Sequence, residues 1–225
     1  MKTVLVIAPH ADDEVLGCGA TMRKHVFNGD AVHVLIATNA SVGAPELFRP
    51  EQVEAIRAEA LRAHAVLGVA QTHFAEFPAP RLSSSPAYPI SNHIGQLVRD
   101  LAPEVVYLPH PGDLHEDHRV IYRSALVALR PGRSQCPAEV YCYETLSETE
   151  WAPVQGDERF EPNVFVDVSA CFEAKLEAMQ CFGSQLMEFP HSRSLEALEA
   201  LAKLRGATIN VHRAEAFELE RLIVR

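Results

Sequence analysis

The stretch Val4–Thr21, VLVIAPHADDEVLGCGAT, decides how this chain folds. A short unbroken apolar run, Val4 to Ala8, leads into His10, then into the consecutive acids Asp12, Asp13 and Glu14, then into a glycine-bearing apolar segment. An apolar run without alternation is the pattern of a central strand covered on both faces. Adjacent carboxylates at its end repel one another, and burying even one unpaired charge is costly, so water or a cation has to compensate them. A metal site is the first expectation.

Outward from this stretch, strand and helix alternate. Thr3–Ala8 reads as a strand, Val15–Phe27 has helical spacing with a Gly29-Asp30 stop, and Ala31–Ala37 is a second apolar run, which together make a βαβ unit. Pro50–Leu67 reads as a helix with proline at its start and Gly68 just past its end. Thr72–Phe77 is a strand, Ile90–Leu101 an amphipathic helix and Glu104–Leu108 a further buried strand. The prediction is an α/β fold with a Rossmann-like, mostly parallel sheet flanked by helices. The later part is less regular: Glu139–Thr145 and Asn163–Val168 alternate like strands, while Ala170–Phe182 and Leu195–Leu204 read as helices. No linker interrupts the chain, so residues 1–225 are expected to form a single domain. The segment after Gly43, Pro78–Pro89 and Ala152–Pro162 are the expected surface loops near a site.

The chain has 225 residues, 48% of them hydrophobic, enough to bury a full core. Its 20 basic and 30 acidic residues give a formal charge of -10, which opposes nucleic acid and anionic membranes. No basic run offsets it. Lys2 precedes only a short apolar stretch that ends in His and acids, unlike a signal peptide, and no apolar run approaches the roughly 20 residues that span a bilayer. A cytoplasmic protein without membrane insertion is expected, and the dispersed, odd set of five cysteines fits a reducing compartment.

In an open α/β sheet, ligands bind beyond the carboxyl ends of the strands, where PHADDE sits. His10 and Asp13, three residues apart across the strand-to-helix turn, can turn one nitrogen and one oxygen onto a single ion while Asp12 points elsewhere. A second cluster, PGDLHEDHRV at Pro111–Val120, follows the Glu104–Leu108 strand and carries His115, Asp117 and His118. The fold would bring both clusters to one sheet edge, and a third ligand from the second completes a His-His-Asp set of the open kind found at catalytic zinc.

PHADDE followed by HEDH resembles the paired signatures of the LmbE-like, or PIG-L, family of zinc-dependent N-acetylglucosaminyl deacetylases. The resemblance continues through IRAEALRAHAVLGV, FEPNVFVDVSACFEAKLEAMQCFGSQ and RAEAF. It implies that His10, Asp13 and His118 ligate the metal, that Asp12 is the general base, that His115 stabilises the oxyanion and that Arg57 contacts substrate. Ala11 stands where the family commonly has proline, which bears on loop rigidity rather than on chemistry. Zinc, or another divalent transition metal, would lower the pKa of a water while Asp12 accepts its proton. A protonated His115, kept charged by Asp117, would meet the developing oxyanion; Asp12 or His115 would then protonate the amine.

The remaining residues receive plainer readings. Glu14 is a supporting or helix-start acid, Asp113 a turn former or a support to a ligand, and His110 a structural histidine. His25, His33, His64, His73, His93, His191 and His212 are also read as structural, and Glu215 as an exposed acid, with closure on the site from the C-terminal segment as the alternative. GCGAT at Gly17–Thr21 lies inside a helix and lacks the third glycine of a dinucleotide loop. The expected activity is removal of the N-acetyl group from a small amino-sugar glycoconjugate, the acidic charge tilting toward neutral glycans. The alternatives are an amidase on a larger N-acyl sugar and a non-catalytic zinc-binding homologue, and homo-oligomerisation is left open. A magnesium phosphohydrolase would have no use for the histidines.

Overall fold

The computed structural model describes residues 1–132, 136–152 and 159–224; residues 153–158 of the expected Ala152–Pro162 loop lie outside them. The strands are β1 Thr3–Ala8, β2 Ala31–Asn39, β3 Gln71–Pro78, β4 Val105–Pro109, β5 Glu139–Tyr143, β6 Val164–Asp167 and β7 Ala214–Leu222. The α-helices are α1 Asp13–Phe27, α2 Ala40–Gly43, α3 Pro50–Leu67, α4 Ala87–Leu101, α5 Glu116–Ala128, α6 Phe172–Gln180 and α7 Leu195–Ile209.

The strands form one sheet in the order β3-β2-β1-β4-β5-β7-β6. Strands β3, β2, β1, β4 and β5 run parallel, and β7 lies antiparallel to both β5 and β6. Side chains alternate across β1: Val4, Val6 and Ala8 face one core with α1, α3, α6 and α7, while Leu5 and Ile7 face the other with α4 and α5. Both faces are covered, which is why β1 and β4 read as unbroken apolar runs. The chain leaves β1 toward β2 on one side and reaches β4 on the other, so the carboxyl ends of β1 and β4 flank the crevice where the strand order reverses.

The expected fold class holds, including the less regular C-terminal part. Strand β7 is missing from the sequence reading, as are the short helix α2 and the limits of α5. The outer half of β7, Glu218 to Leu222, is partly or fully exposed, so the segment lacks a continuous buried run.

Helix α1 breaks at Cys18, whose φ of -140° and ψ of 23° are not helical. A buried ion pair repairs the interrupted hydrogen bonding. Lys175 Nζ donates to the Leu16 carbonyl at 2.7 Å and to Glu215 Oε1 at 2.6 Å, and the Glu215 carboxylate accepts from the backbone N–H of Ala20 and Thr21 at 3.1 and 2.6 Å. Glu215 is therefore a buried structural acid, 5% exposed, and not the surface residue expected. The GCG segment serves close packing: a Cβ at Gly17 would collide with the Tyr143 ring, whose hydroxyl donates to the Ile7 carbonyl at 2.9 Å.

Candidate metal centre

Past β1 the chain turns sharply through His10 and Ala11 into α1. Asp12 makes the turn with φ 120° and ψ -28°, a conformation non-glycine residues rarely adopt. Its carbonyl accepts from the N–H groups of Val15 and Leu16 at 3.0 and 2.8 Å, which starts the helix.

Asp13 lies at the centre of the site with no exposed surface. Its Oδ2 accepts from the His10 N–H at 2.8 Å and lies 3.3 Å from His10 Nδ1 and 3.2 Å from His118 Nε2. Among the described residues, Asp13 Oδ1 and His118 Nε2 are buried with no hydrogen-bond partner. Unpaired buried polar atoms are rare, and here an acceptor oxygen and an imidazole nitrogen share one small space. With His10 they offer ligand atoms within 4.8 Å of one another, the donor set of a divalent-metal site.

The outer nitrogens of both histidines are held as well. His10 Nε2 meets Asp117 Oδ2 at 3.2 Å and His118 Nδ1 meets Asp113 Oδ2 at 2.8 Å. Asp117 Oδ1 accepts from the Leu82 N–H at 3.1 Å, and Asp113 Oδ1 from the Thr149 hydroxyl at 2.5 Å. Such carboxylate–histidine pairs fix which nitrogen faces a metal. Burial alone would lower the pKa of His10, yet the carboxylates of Asp117 and Asp13 raise it to about 9. Burial is likewise outweighed at His118, which Asp13 and Asp113 raise, and at Asp13, which the two histidines hold low. The field here favours positive charge. A second grouping of His10, His115 and Asp117 is also close enough for an ion. Its carboxylate already serves His10 Nε2, so the Asp13-centred set fits better.

A cavity of about 450 Å³ opens beside this centre. Asp12, His115, Arg57 and Arg193 line it, together with the apolar Leu47 and Phe48. Burial pushes the Asp12 carboxyl up to about 8, against the pull of Arg193. Arg193 Nη1 donates to Asp12 Oδ2 at 3.1 Å, and its Nε donates to Ser147 Oγ at 2.7 Å. His115 Nδ1 accepts from the Asp117 N–H at 3.1 Å, which leaves hydrogen for Nε2 alone. Burial, aided by the neighbouring His10, lowers its pKa to about 4. Where a charged His115 was expected, the structure therefore favours a neutral one: its Nδ1 accepts a hydrogen bond, and burial outweighs the Asp117 carboxylate, which turns to His10 and the Leu82 N–H. Arg57 reaches the cavity wall, where it bonds Glu76 at 2.6 Å and the Ala75 carbonyl at 3.2 Å and lies over the Phe74 ring.

The PIG-L family, described as GlcNAc-PI de-N-acetylase, matches residues 5–129, more than half of the chain. This chain belongs to the PIG-L family. It is similar to the diacetylchitobiose deacetylase of Thermococcus kodakarensis, with 28% identity over 210 residues that cover 84% of this chain and 72% of that one. The 1D-myo-inositol 2-acetamido-2-deoxy-alpha-D-glucopyranoside deacetylase of Mycobacterium sp. (strain JLS) is 26% identical over 85% of this chain and 76% of its own. Among solved structures, a conserved protein of Thermus thermophilus superposes with a TM-score of 0.78 at 26% identity, covering 100% of this chain and 97% of that one. No helix among the described residues is long and apolar enough to cross a membrane.

The PIG-L match contains both clusters and therefore His10, Asp12, Asp13, Asp113, His115, Asp117 and His118. Glu148, Gln185 and Arg193 also line the cavity but fall outside it, and the sequence reading missed them. Glu148 had a usable signal, since it follows β5 at the same carboxyl edge; its Oε2 accepts from the His115 N–H at 3.1 Å. Arg193 had none, lying in an irregular loop before α7. Among the histidines read as structural, His25 meets Asp30 at 2.8 Å and His110 Nδ1 lies 3.1 Å from Glu218. His64 differs from them in reaching Glu14, directly behind the turn at Asp12.

Proposed function

We propose that this PIG-L protein is a zinc-dependent N-deacetylase that hydrolyses the acetamide of an N-acetylglucosamine-type conjugate to acetate and a free amine. The observation that carries this reading is the convergence of His10 Nδ1, Asp13 and His118 Nε2 beside the cavity where Asp12 and His115 stand. His10, Asp13 and His118 would hold the ion; Asp117 and Asp113 would orient the two imidazoles. When bound, the ion acts as a Lewis acid that makes water more nucleophilic and the amide carbonyl more electrophilic.

The rest of the reaction falls to side chains. Arg193 occupies Asp12 Oδ2 and leaves Oδ1 to take a proton from the attacking water. As water adds to the carbonyl carbon, negative charge gathers on the carbonyl oxygen, and the Nε2–H of neutral His115 donates to it. The C–N bond then breaks, the amine leaves with the proton Asp12 collected, and acetate remains. Asp12 thus serves as base and then acid, a shuttle suited to a carboxyl whose pKa burial has raised. Arg57 and Arg193 stand where sugar hydroxyls would sit. We read residues 1–225 as one catalytic unit, and the free cysteines support a reducing, cytoplasmic setting.

The apolar side of the cavity, formed by residues such as Leu47, Phe48 and Val53, also suits a longer N-acyl chain. Amine release from N-acetyl and longer N-acyl glucosamine conjugates by the zinc-loaded protein tests both readings. Release from the acetyl compounds that vanishes in Asp12→Asn, with zinc retained, is the expected result. Silence toward every acetyl compound would refute deacetylation, and release from the longer acyl compounds alone would favour the amidase.

A further inference from the structure

Behind the catalytic turn runs a buried hydrogen-bonded chain that none of the proposed catalytic steps uses. Glu14 has no exposed surface and His64 is 2% exposed. Glu14 Oε2 accepts from the Asp12 N–H at 3.2 Å, Glu14 Oε1 meets His64 Nε2 at 2.9 Å, and His64 Nδ1 meets the Thr72 hydroxyl at 2.7 Å. The chain links β3 and α3 to the residue with the most unusual backbone in the site.

We propose that Glu14 and His64 are positioning residues that hold Asp12 in its positive-φ conformation and so aim its carboxylate at the reacting water. The proposal rests on the reading of Asp12 as the proton shuttle. A non-glycine residue at φ 120° is strained and persists only where its surroundings over-determine it. Each polar group of Asp12 is tied: its carbonyl to the start of α1, its carboxylate to Arg193, and its N–H to Glu14. The N–H tie runs through Glu14, whose other oxygen is held by His64. A carboxylate only accepts hydrogen bonds, so with Glu14 ionised His64 Nε2 carries the hydrogen, and Thr72 fixes the ring from its far side. A pair serving stability alone could be replaced by apolar side chains. Here one oxygen of the pair is spent on the turn that presents Asp12.

Paired substitutions at His64 separate aim from stability. In His64→Gln the side-chain amide falls where Nε2 was and keeps a donor for Glu14; in His64→Asn it falls where Nδ1 was, keeping Thr72 and losing Glu14. The expected outcome is kcat within about threefold of wild type for His64→Gln and a loss of about 10- to 100-fold for His64→Asn. KM and zinc content should be unchanged in both. In the metal-free protein, hydrogen exchange at the Asp12 amide should be faster in His64→Asn than in His64→Gln. Equal kcat and equal exchange in the two variants would overturn the proposal, as would a His64→Asn loss explained by lost zinc. Wild-type silence toward all N-acyl sugars would instead remove the proposed function and the catalytic half of this inference with it. The amide exchange reports on the turn in either case.

Discussion

Arg193 Nη1 donates to Asp12 Oδ2 across 3.1 Å, joining residues 181 positions apart. The guanidinium also bonds Ser147 and Gln185, so it is fixed before substrate arrives. Replacing it with alanine leaves a buried carboxylate without its cation. Arg193→Ala should lower kcat by about 10- to 100-fold, and Arg193→Lys, which keeps charge but not the fork, should lose less. Arg193 pulls the Asp12 pKa down, so its removal raises that pKa. The base then ionises only at higher pH, and the acidic limb of the kcat/KM profile should move upward in pH. An unmoved limb would show that Arg193 does not govern Asp12.

Zinc retention should grade with distance from the ion. Asp13→Asn and His118→Ala remove proposed ligands and should abolish stoichiometric binding. Asp113→Asn and Asp117→Asn disturb only the support behind His118 and His10 and should weaken affinity about 10- to 100-fold. Competition against a chromophoric chelator measures both classes. Ligand-grade loss at Asp113 or Asp117 would require redrawing the coordination set.

Stability should fall on mild acidification through the His33–His73 pair on β2 and β3. Burial lowers both pKa values below 6.5, and the proximity of His33 and His93 lowers His73 further. The unfolded chain therefore takes up protons near pH 6.5 before the folded one does. The stabilisation is complete above that pH and is lost as pH falls through the depressed folded values. Urea midpoints between pH 7.5 and pH 5, roughly spanning the histidine range, should fall less steeply for the His33→Gln/His73→Gln double variant than for wild type.

Lys175 and Glu215 are both nearly inaccessible, with side chains 4% exposed, and they close the break in α1. Lys175→Met strands the Glu215 carboxylate and the Leu16 carbonyl. Its expected cost is about 3–5 kcal/mol in urea unfolding, the range for breaking one side of a buried pair. A cost below about 1 kcal/mol would match a surface pair instead and would contradict the staple.

Leu47 and Phe48 remain 68% and 37% exposed at the cavity side. A substrate with an apolar aglycone can cover them. Screening about 60 Å² of apolar surface is worth about 1.5 kcal/mol, near tenfold in affinity. Alkyl or aryl N-acetylglucosaminides should therefore show kcat/KM about tenfold above the free sugar, and Leu47→Ser/Phe48→Ser should erase the advantage.

The N-terminal part of the molecule was legible because its signals are local. The Thr3–Ala8 strand and the Pro50–Leu67 helix match the structure end to end, since an unbroken apolar run and a proline–glycine bracket each mark their own limits. His10, Asp13, His115 and His118 could be grouped because each follows a strand whose carboxyl end the fold brings to one edge. Nothing local marks Arg193, Lys175 or Glu215. Their roles arise from partners far away in sequence, and a lone basic or acidic residue reads as surface until those partners are placed beside it. Glu14 was read as a supporting or helix-start acid and His64 as a structural histidine; that the two face each other is visible only once the fold joins them.

The division of the cavity between two stretches of chain separates two kinds of change. Each residue proposed to touch the ion lies before position 129, while Glu148, Gln185 and Arg193 are supplied from beyond it. Exchanging the later stretch would leave the proposed ligands in place while altering both what is admitted and, through Arg193 on Asp12 and Thr149 on Asp113, how the reacting centre is held and tuned.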